Sequence, residues 1–396
     1  MRWSCVVVGA GPAGLAMSRC LVERGVEHLV LERREVGDTW ATQRWDSFRL
    51  NTPAWMNRLL GELPDGAFPG RDEVVARLQG VAAGLPVQDH SPVVSVRKQG
   101  DGFAVRTPDR EHVADAVVVA SGGLNVPRTP AFAGVLPSWV VQLHGAEYRS
   151  AAELPEGAVL VVGSGQSGSQ VAEDLVLAGR RVLLSTSRVG RYRWSYRGRE
   201  LLGWLVDAGY WAQRPEDLRD RTVLRLPQPI IGSGGHSLGL PALARAGVVL
   251  LGRLSAVDGA VLSFDASLAE HVAHGDEVAA RLEALADAYI AAAELDAPDG
   301  EPDPGRGPVS AAGPATVDLI SEEVRTVIWC TGFTSDLSWL ELPVLDEAGA
   351  PVHRDGATSV PGLRFIGLPW LTCRQSGILH GMPDDAVRTA DALVTR

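Results

Sequence analysis

The chain has 396 residues, a formal net charge of −11, 45% hydrophobic and 21% charged residues, a length that implies two domains and room for a large cofactor in a soluble globular enzyme. The acidic balance argues against nucleic acid or an anionic membrane as a partner, since both need a basic surface. The longest apolar stretch, near Cys5 to Val22, is interrupted by Gly9, Gly11 and Gly14 and reads as neither a signal peptide nor a membrane span.

Cys5 to Gly9 is a short β-branched run, followed by a glycine turn, helical spacing over Ala13 to Glu23, and a second strand, His28 to Glu32. That is strand, turn, helix, strand within about thirty residues. Val93 to Gly123 alternates like a meander ending in a buried strand, Ala116 to Ala120, and Val126 to Pro137 is a proline-rich crossing. The opening unit then recurs 154 residues on, with Ala158 to Gly163 as strand, Ser167 to Ala178 as helix and Arg181 to Ser185 as the next strand. Ala269 to Ala293 reads as one or two helices. Ala297 to Pro314, rich in Pro, Gly and Asp, reads as a mobile loop or linker. Val324 to Cys330 is another buried strand, and Gly362 to Ala392 runs strand, loop, helix.

The fold class expected is α/β, with two dinucleotide-binding, Rossmann-like domains. The first is formed by 1–154 and 315–396; the second, 155–314, is inserted into it and carries the linker 297–314. Cysteines at 5, 20, 330 and 373 form neither a C-x-x-C pair nor zinc-like spacing, so no metal site is expected and buried thiols in a reducing cytoplasm are the simplest reading.

Only Gly9-Ala10-Gly11-Pro12-Ala13-Gly14 and Gly163-Ser164-Gly165-Gln166-Ser167-Gly168 match G-x-G-x-x-G, and each follows a strand and opens a helix. In such a turn the first glycine permits the bend, the second admits the pyrophosphate and the third lets helix and strand pack closely. The uncapped helix N-terminus supplies N–H groups and partial positive charge. Aligning the two copies exposes a difference at the end of the second strand. Glu32 stands 23 residues after Gly9, whereas Thr186 stands 23 after Gly163, within Ser185-Thr186-Ser187-Arg188. A carboxylate there accepts ribose hydroxyls and repels a 2′-phosphate, while hydroxyls beside a guanidinium do the reverse. The first turn therefore suits FAD or NAD and the second NADP. Arg188, Arg191, Arg193 and Arg197 crowd the second site, and Arg188 is the residue expected to meet the extra phosphate.

These residues resemble the flavin-containing monooxygenases, single-component enzymes that use FAD and NADPH, and in particular their short bacterial members. The likeness covers nearly the whole chain. It includes Glu32-Arg33, Gly37-Asp-Thr39-Trp40, the run Arg44 to Pro53, Ala120-Ser-Gly122, Trp329-Cys-Thr331-Gly332-Phe333 and Pro361 to Gly367. The family's Phe-x-Gly-x-x-x-His-x-x-x-Phe/Tyr-Lys/Arg stretch is half present: His144 to Arg149 fit, but Ser138 and Val140 replace its Phe and Gly. Tyr148-Arg149 stands where Baeyer–Villiger enzymes show Trp followed by Pro or Asp, which favours heteroatom oxidation or a similar hydroxylation.

The resemblance implies that NADPH reduces FAD, that a C4a-hydroperoxyflavin forms with O2, and that a small-molecule nucleophile is oxygenated at N, S or C. It adds Arg33, Thr39, Trp40, Arg49, Leu50, Thr52, Thr331 and Gly332 to the cofactor-binding set. It also implies that Asn51 hydrogen-bonds the peroxide, the other reading of Asn51 being an ordinary turn residue before Thr52-Pro53. His144 is expected to brace the join between the domains. The alternative function is an NADPH-dependent flavoprotein reductase or electron-transfer protein that inserts no oxygen. The partners expected are a small-molecule substrate and O2, with a homodimer also open.

Overall fold

The computed structural model describes residues 2–123, 125–309 and 313–395. Two parallel-centred sheets organise it. In the first, Arg2–Val8 lies between His28–Leu31 and Glu111–Val119, all parallel, because Val6, Val7, Val30, Val117 and Val118 are fully buried between covering layers and a doubly covered strand needs apolar residues on both faces. Val87–Gln88 extends one edge, and the antiparallel Ser95–Gln99 and Gly102–Arg106 complete the other. The meander pairs only with the first half of Glu111–Val119. The second half, Val117 to Val119, receives the returning strand Leu363–Phe365 in parallel.

The second sheet has the order Val249–Leu251, Val182–Ser185, Ala158–Val162, Val324–Trp329, Val141–His144, and every pairing is parallel. Here the structure departs from the expected boundaries. Val141–His144 and Val324–Trp329 fall within the sequence ranges 1–154 and 315–396 expected for the first domain, yet both pair in the second sheet. Apolar content marks a buried strand without saying which sheet buries it.

Ala269 to Ala293 is one helix, Leu268–Ala292, lying across the second unit. The Pro/Gly tract after it is irregular, as expected, but its described part is tied down. Asp303 pairs with Arg191 at 2.7 Å with both side chains 3% exposed, Arg193 and Ser195 hold Glu301, and Arg245 reaches the carbonyls of Pro304 and Arg306. Buried ion pairs of this kind cost several kcal/mol to break, so the tract is a strap rather than a loose linker. Residues 310–312 lie outside the described set.

Candidate functional site

The two glycine turns are near copies in space. Gly9 and Gly163 have φ of +102° and +101°, a region that penalises any side chain. Their amides bond Leu31 O and Ser185 O, which fixes each turn on the second strand of its unit. A Cβ on Gly14 would lie 1.9 Å from Gly9 O, and one on Gly168 would lie 1.8 Å from Gly163 O. A Cβ on Gly11 or Gly165 would meet nothing within 4 Å. The third glycine is thus required by the protein's own packing, and the second faces open space. Neither helix that follows, Pro12–Glu23 or Gln166–Leu177, has a side-chain cap, which leaves the first-turn N–H groups directed at that space. The geometry fits a dinucleotide pyrophosphate at both turns.

At the first turn, Glu32 Oε2 accepts from Ala10 N at 2.7 Å and Oε1 from Arg34 N at 3.1 Å, so the carboxylate is locked against the glycine loop. Arg33 beside it is exposed. The second turn differs more than the sequence suggested. Thr186 is 1% exposed; its hydroxyl donates to Leu251 O at 2.7 Å and lies 2.9 Å from His271 Nδ1. Thr186 is therefore a core residue and not part of a phosphate cradle. Ser164 and Ser187 bond each other through both hydroxyls and main chain, which splices the turn to the strand end.

The expected arginine cluster also resolves. Arg191 is bound by Asp276 and Asp303, Arg193 by Glu283 and Glu301, and Arg197 by Asp287. Arg188 alone of the four stays exposed, 59% by side chain, with Glu270 3.9 Å away. Counting arginines could not separate them, because their partners lie some 85 to 110 positions away in the chain.

The segment from Thr39 to Thr52 joins the two units. Arg44 covers the Trp40 ring at 5.2 Å, and Trp40 and Trp45 both meet Phe48 edge-on. Asp174, on the second turn's helix, accepts from Ser47 and from Tyr148. Burial, and then Asp174 itself, push the Tyr148 phenol well above its usual range. Arg49 N is 3.3 Å from Ser233 Oγ, and Gly234 N donates to Leu50 O. Asn51 follows, half-buried; Thr52 is knotted to the fully buried Asn57, whose amide donates to the carbonyls of Thr52 and Pro53. Gln166 spends its side-chain amide on both backbone groups of Ile231, which leaves only its main chain for a ligand.

His144 Nδ1 accepts from Ala146 N, which leaves Nε2 to donate to Gly332 O at 3.0 Å. Burial pulls its pKa down, and because Gly332 follows Val324–Trp329, the strand paired with Val141–His144, His144 braces the second unit internally rather than the expected join between the two domains. Thr331 is bound to Arg128 through its hydroxyl and its carbonyl. Asp174, Ile231 and the 230–237 loop were missed by sequence reasoning, and no local pattern marks them.

Residues 6–199 match the model of the pyridine nucleotide-disulphide oxidoreductase family. A CzcO-like uncharacterized oxidoreductase of Geobacillus kaustophilus is 30% identical over 96% of this chain and 95% of the relative. The indole-3-pyruvate monooxygenase YUCCA1 of rice is 28% identical over 97% of this chain and 90% of its own length. Among solved structures, a flavin-containing monooxygenase from Stenotrophomonas maltophilia superposes with a TM-score of 0.66 at 21% identity, covering 100% of this chain and 98% of that one. The resemblance to flavin-containing monooxygenases agrees with this neighbour, which shares the two-unit α/β fold. No helix among the described residues is long and apolar enough to cross a membrane. On the strength of its near full-length likeness to the Geobacillus protein, the chain belongs to the CzcO-like oxidoreductase family.

Proposed function

We propose that the protein is an FAD-dependent, NADPH-consuming monooxygenase that oxygenates a small-molecule nucleophile at nitrogen, sulfur or carbon. One observation carries the cofactor assignment: the two nucleotide cradles are alike in backbone and unlike at their strand ends, while oxygen insertion is supported by the near full-length likeness to the rice indole-3-pyruvate monooxygenase. Glu32, tied across the first loop, favours a free ribose, and exposed Arg188 beside the second favours a 2′-phosphate. In this reading Gly9 to Gly14, Glu32, Arg33, Thr39, Trp40, Arg49, Leu50, Thr52, Thr331 and Gly332 hold FAD. Gly163 to Gly168, Ser187 and Arg188 hold NADPH. FAD, once reduced, supplies the oxygen-activating chemistry.

The chain's own residues bind, orient and exclude water. Gly11 and Gly165 leave the backbone open to phosphates. Asp174 and Ser233 fasten the Ser47–Leu50 segment across both units, which sets the position of Asn51, the residue proposed to offer its amide to the reacting oxygen. A dithiol reductase reading lacks its motif: Cys5, Cys20, Cys330 and Cys373 form no C-x-x-C pair, and burial pushes the Cys5 and Cys330 thiols up to about 12.

The test is to reduce the purified yellow protein with NADPH without air, then admit oxygen in the absence of substrate. Slow reoxidation supports a monooxygenase, immediate reoxidation favours the reductase alternative, and no bleaching by NADPH defeats both.

A further inference from the structure

A cavity of about 290 Å³ lies beside the strand end of the second nucleotide cradle. One wall is Arg188, three residues beyond Ser185, whose carbonyl anchors Gly163. Trp370 and Arg374 also line it, on the loop that leaves Gly367, where an added Cβ would come within 2.6 Å of the Ala13 side chain. The helix Leu268–Ala292 lines it with His274, Val278 and Arg281, positions that share one helical face.

Its electrostatics are one-sided. Arg374 is 8% exposed and held by two rings, Tyr210 at 4.1 Å and Trp370 at 4.6 Å. Its Nε and Nη2 both donate to one oxygen, Gln213 Oε1, at 3.2 and 3.0 Å. Among the described residues Nη1 has no hydrogen-bond acceptor and no carboxylate pairs with the guanidinium. Nδ1 of His274, itself 7% exposed, has no partner either. Arg188 and Arg281 add charge, and no Asp or Glu among the described residues lines the cavity. A guanidinium stays protonated and is costly to bury without a counter-charge, so a fixed, preoriented Arg374 in a chain of net charge −11 calls for an anion. Apart from the uncharged polar groups of Tyr210, Gln213 and Gln228, the rest of the lining is mostly apolar, including Val223, Leu226 and Val278.

We propose that this cavity binds an apolar organic acid, its carboxylate on Arg374 and its body against the helix Leu268–Ala292, and that such acids are the substrate class of the oxygenation proposed above. This rests on that reading for the word substrate only. The 2′-phosphate of NADPH is a second source of the same anionic chemistry, because Arg188 borders both sites.

Calorimetry on the FAD-loaded protein separates them, with 3-phenylpropionate, its neutral amide and 2′,5′-ADP as probes. The acid should bind roughly ten- to hundredfold tighter than the amide, the range of one charge-assisted hydrogen-bond pair. Arg374→Gln should erase that difference and leave 2′,5′-ADP binding intact, whereas Arg188→Ala should weaken 2′,5′-ADP most. Should Arg374→Gln fail to fold, exposed Arg281 serves: Arg281→Gln should weaken the acid and spare the amide. Equal affinity for acid and amide, no binding of the acid, or displacement of the acid by 2′,5′-ADP overturns the proposal. In a panel of aromatic acids and amides, failure of the acids to raise NADPH consumption above the amides overturns the substrate assignment. Calorimetry needs neither NADPH nor oxygen, so its failure is distinguishable from failure of the monooxygenase reading.

Discussion

Replacing Gly165 by alanine, beside the same change at Gly168, asks whether the second glycine serves the ligand and the third serves the fold. Gly165 has φ −67° and a Cβ there meets no protein atom within 4 Å. Alanine fits that backbone, and by narrowing the unfolded ensemble it should raise stability by about 0.4–1 kcal/mol. Its methyl would, however, occupy the space through which a pyrophosphate approaches the helix N-terminus. Losing one backbone N–H bond to a charged oxygen costs about 1.5–3 kcal/mol, so NADPH should bind roughly ten- to hundredfold more weakly. At Gly168 the added Cβ sits 1.8 Å from Gly163 O, and the strand-to-helix packing has to open by more than 1 Å to reach the 3.0 Å that real contacts respect. Overpacking of this kind destabilises by about 1–3 kcal/mol, and nucleotide binding should fall with it. Denaturant titration gives the stability difference, and anaerobic flavin reduction at varied NADPH gives the affinity. If Gly165→Ala binds NADPH like the parent, or loses as much stability as Gly168→Ala, the division of labour drawn here is wrong.

Arg188→Ala should leave stability unchanged and narrow the preference for NADPH over NADH, measured as the ratio of kcat/KM values; an unchanged ratio removes Arg188 from the phosphate site. Arg191→Ala strands Asp303 without its buried partner and should cost about 3–5 kcal/mol with no change in that ratio, as read by denaturant midpoint and the same kinetics. Asn51→Ala should increase the hydrogen peroxide released per NADPH consumed, since an amide lost beside the reacting oxygen lets it escape; parental coupling would return Asn51 to the role of turn residue. His236 lies 2.7 Å from Glu173, which raises its pKa above the usual 6.5. A raised folded-state pKa contributes stability that is full below the unfolded value and fades as pH climbs through the folded one. The stability gap between the parent and His236→Gln should therefore be larger near about pH 6 than near about pH 9, and a gap that widens with pH would contradict the pairing.

The glycine turns were legible because their constraints are local. Gly9 and Gly14, or Gly163 and Gly168, touch across five residues of one strand-turn-helix unit, so spacing alone implies the contact. Glu32 was legible for the same reason, as it folds back onto its own unit at Ala10. Tertiary structure decided whatever depends on a distant partner. It buried Thr186 against His271, and it neutralised Arg191, Arg193 and Arg197 with carboxylates on the helix Leu268–Ala292 or the strap after it, leaving Arg188 exposed. It moved Val324–Trp329 into the second sheet. It also brought Tyr210, Arg281, Trp370 and Arg374 around one cavity. Charge and hydrophobicity are written in the residue, but whether a charge is paired or a strand covered depends on what the rest of the chain places beside it.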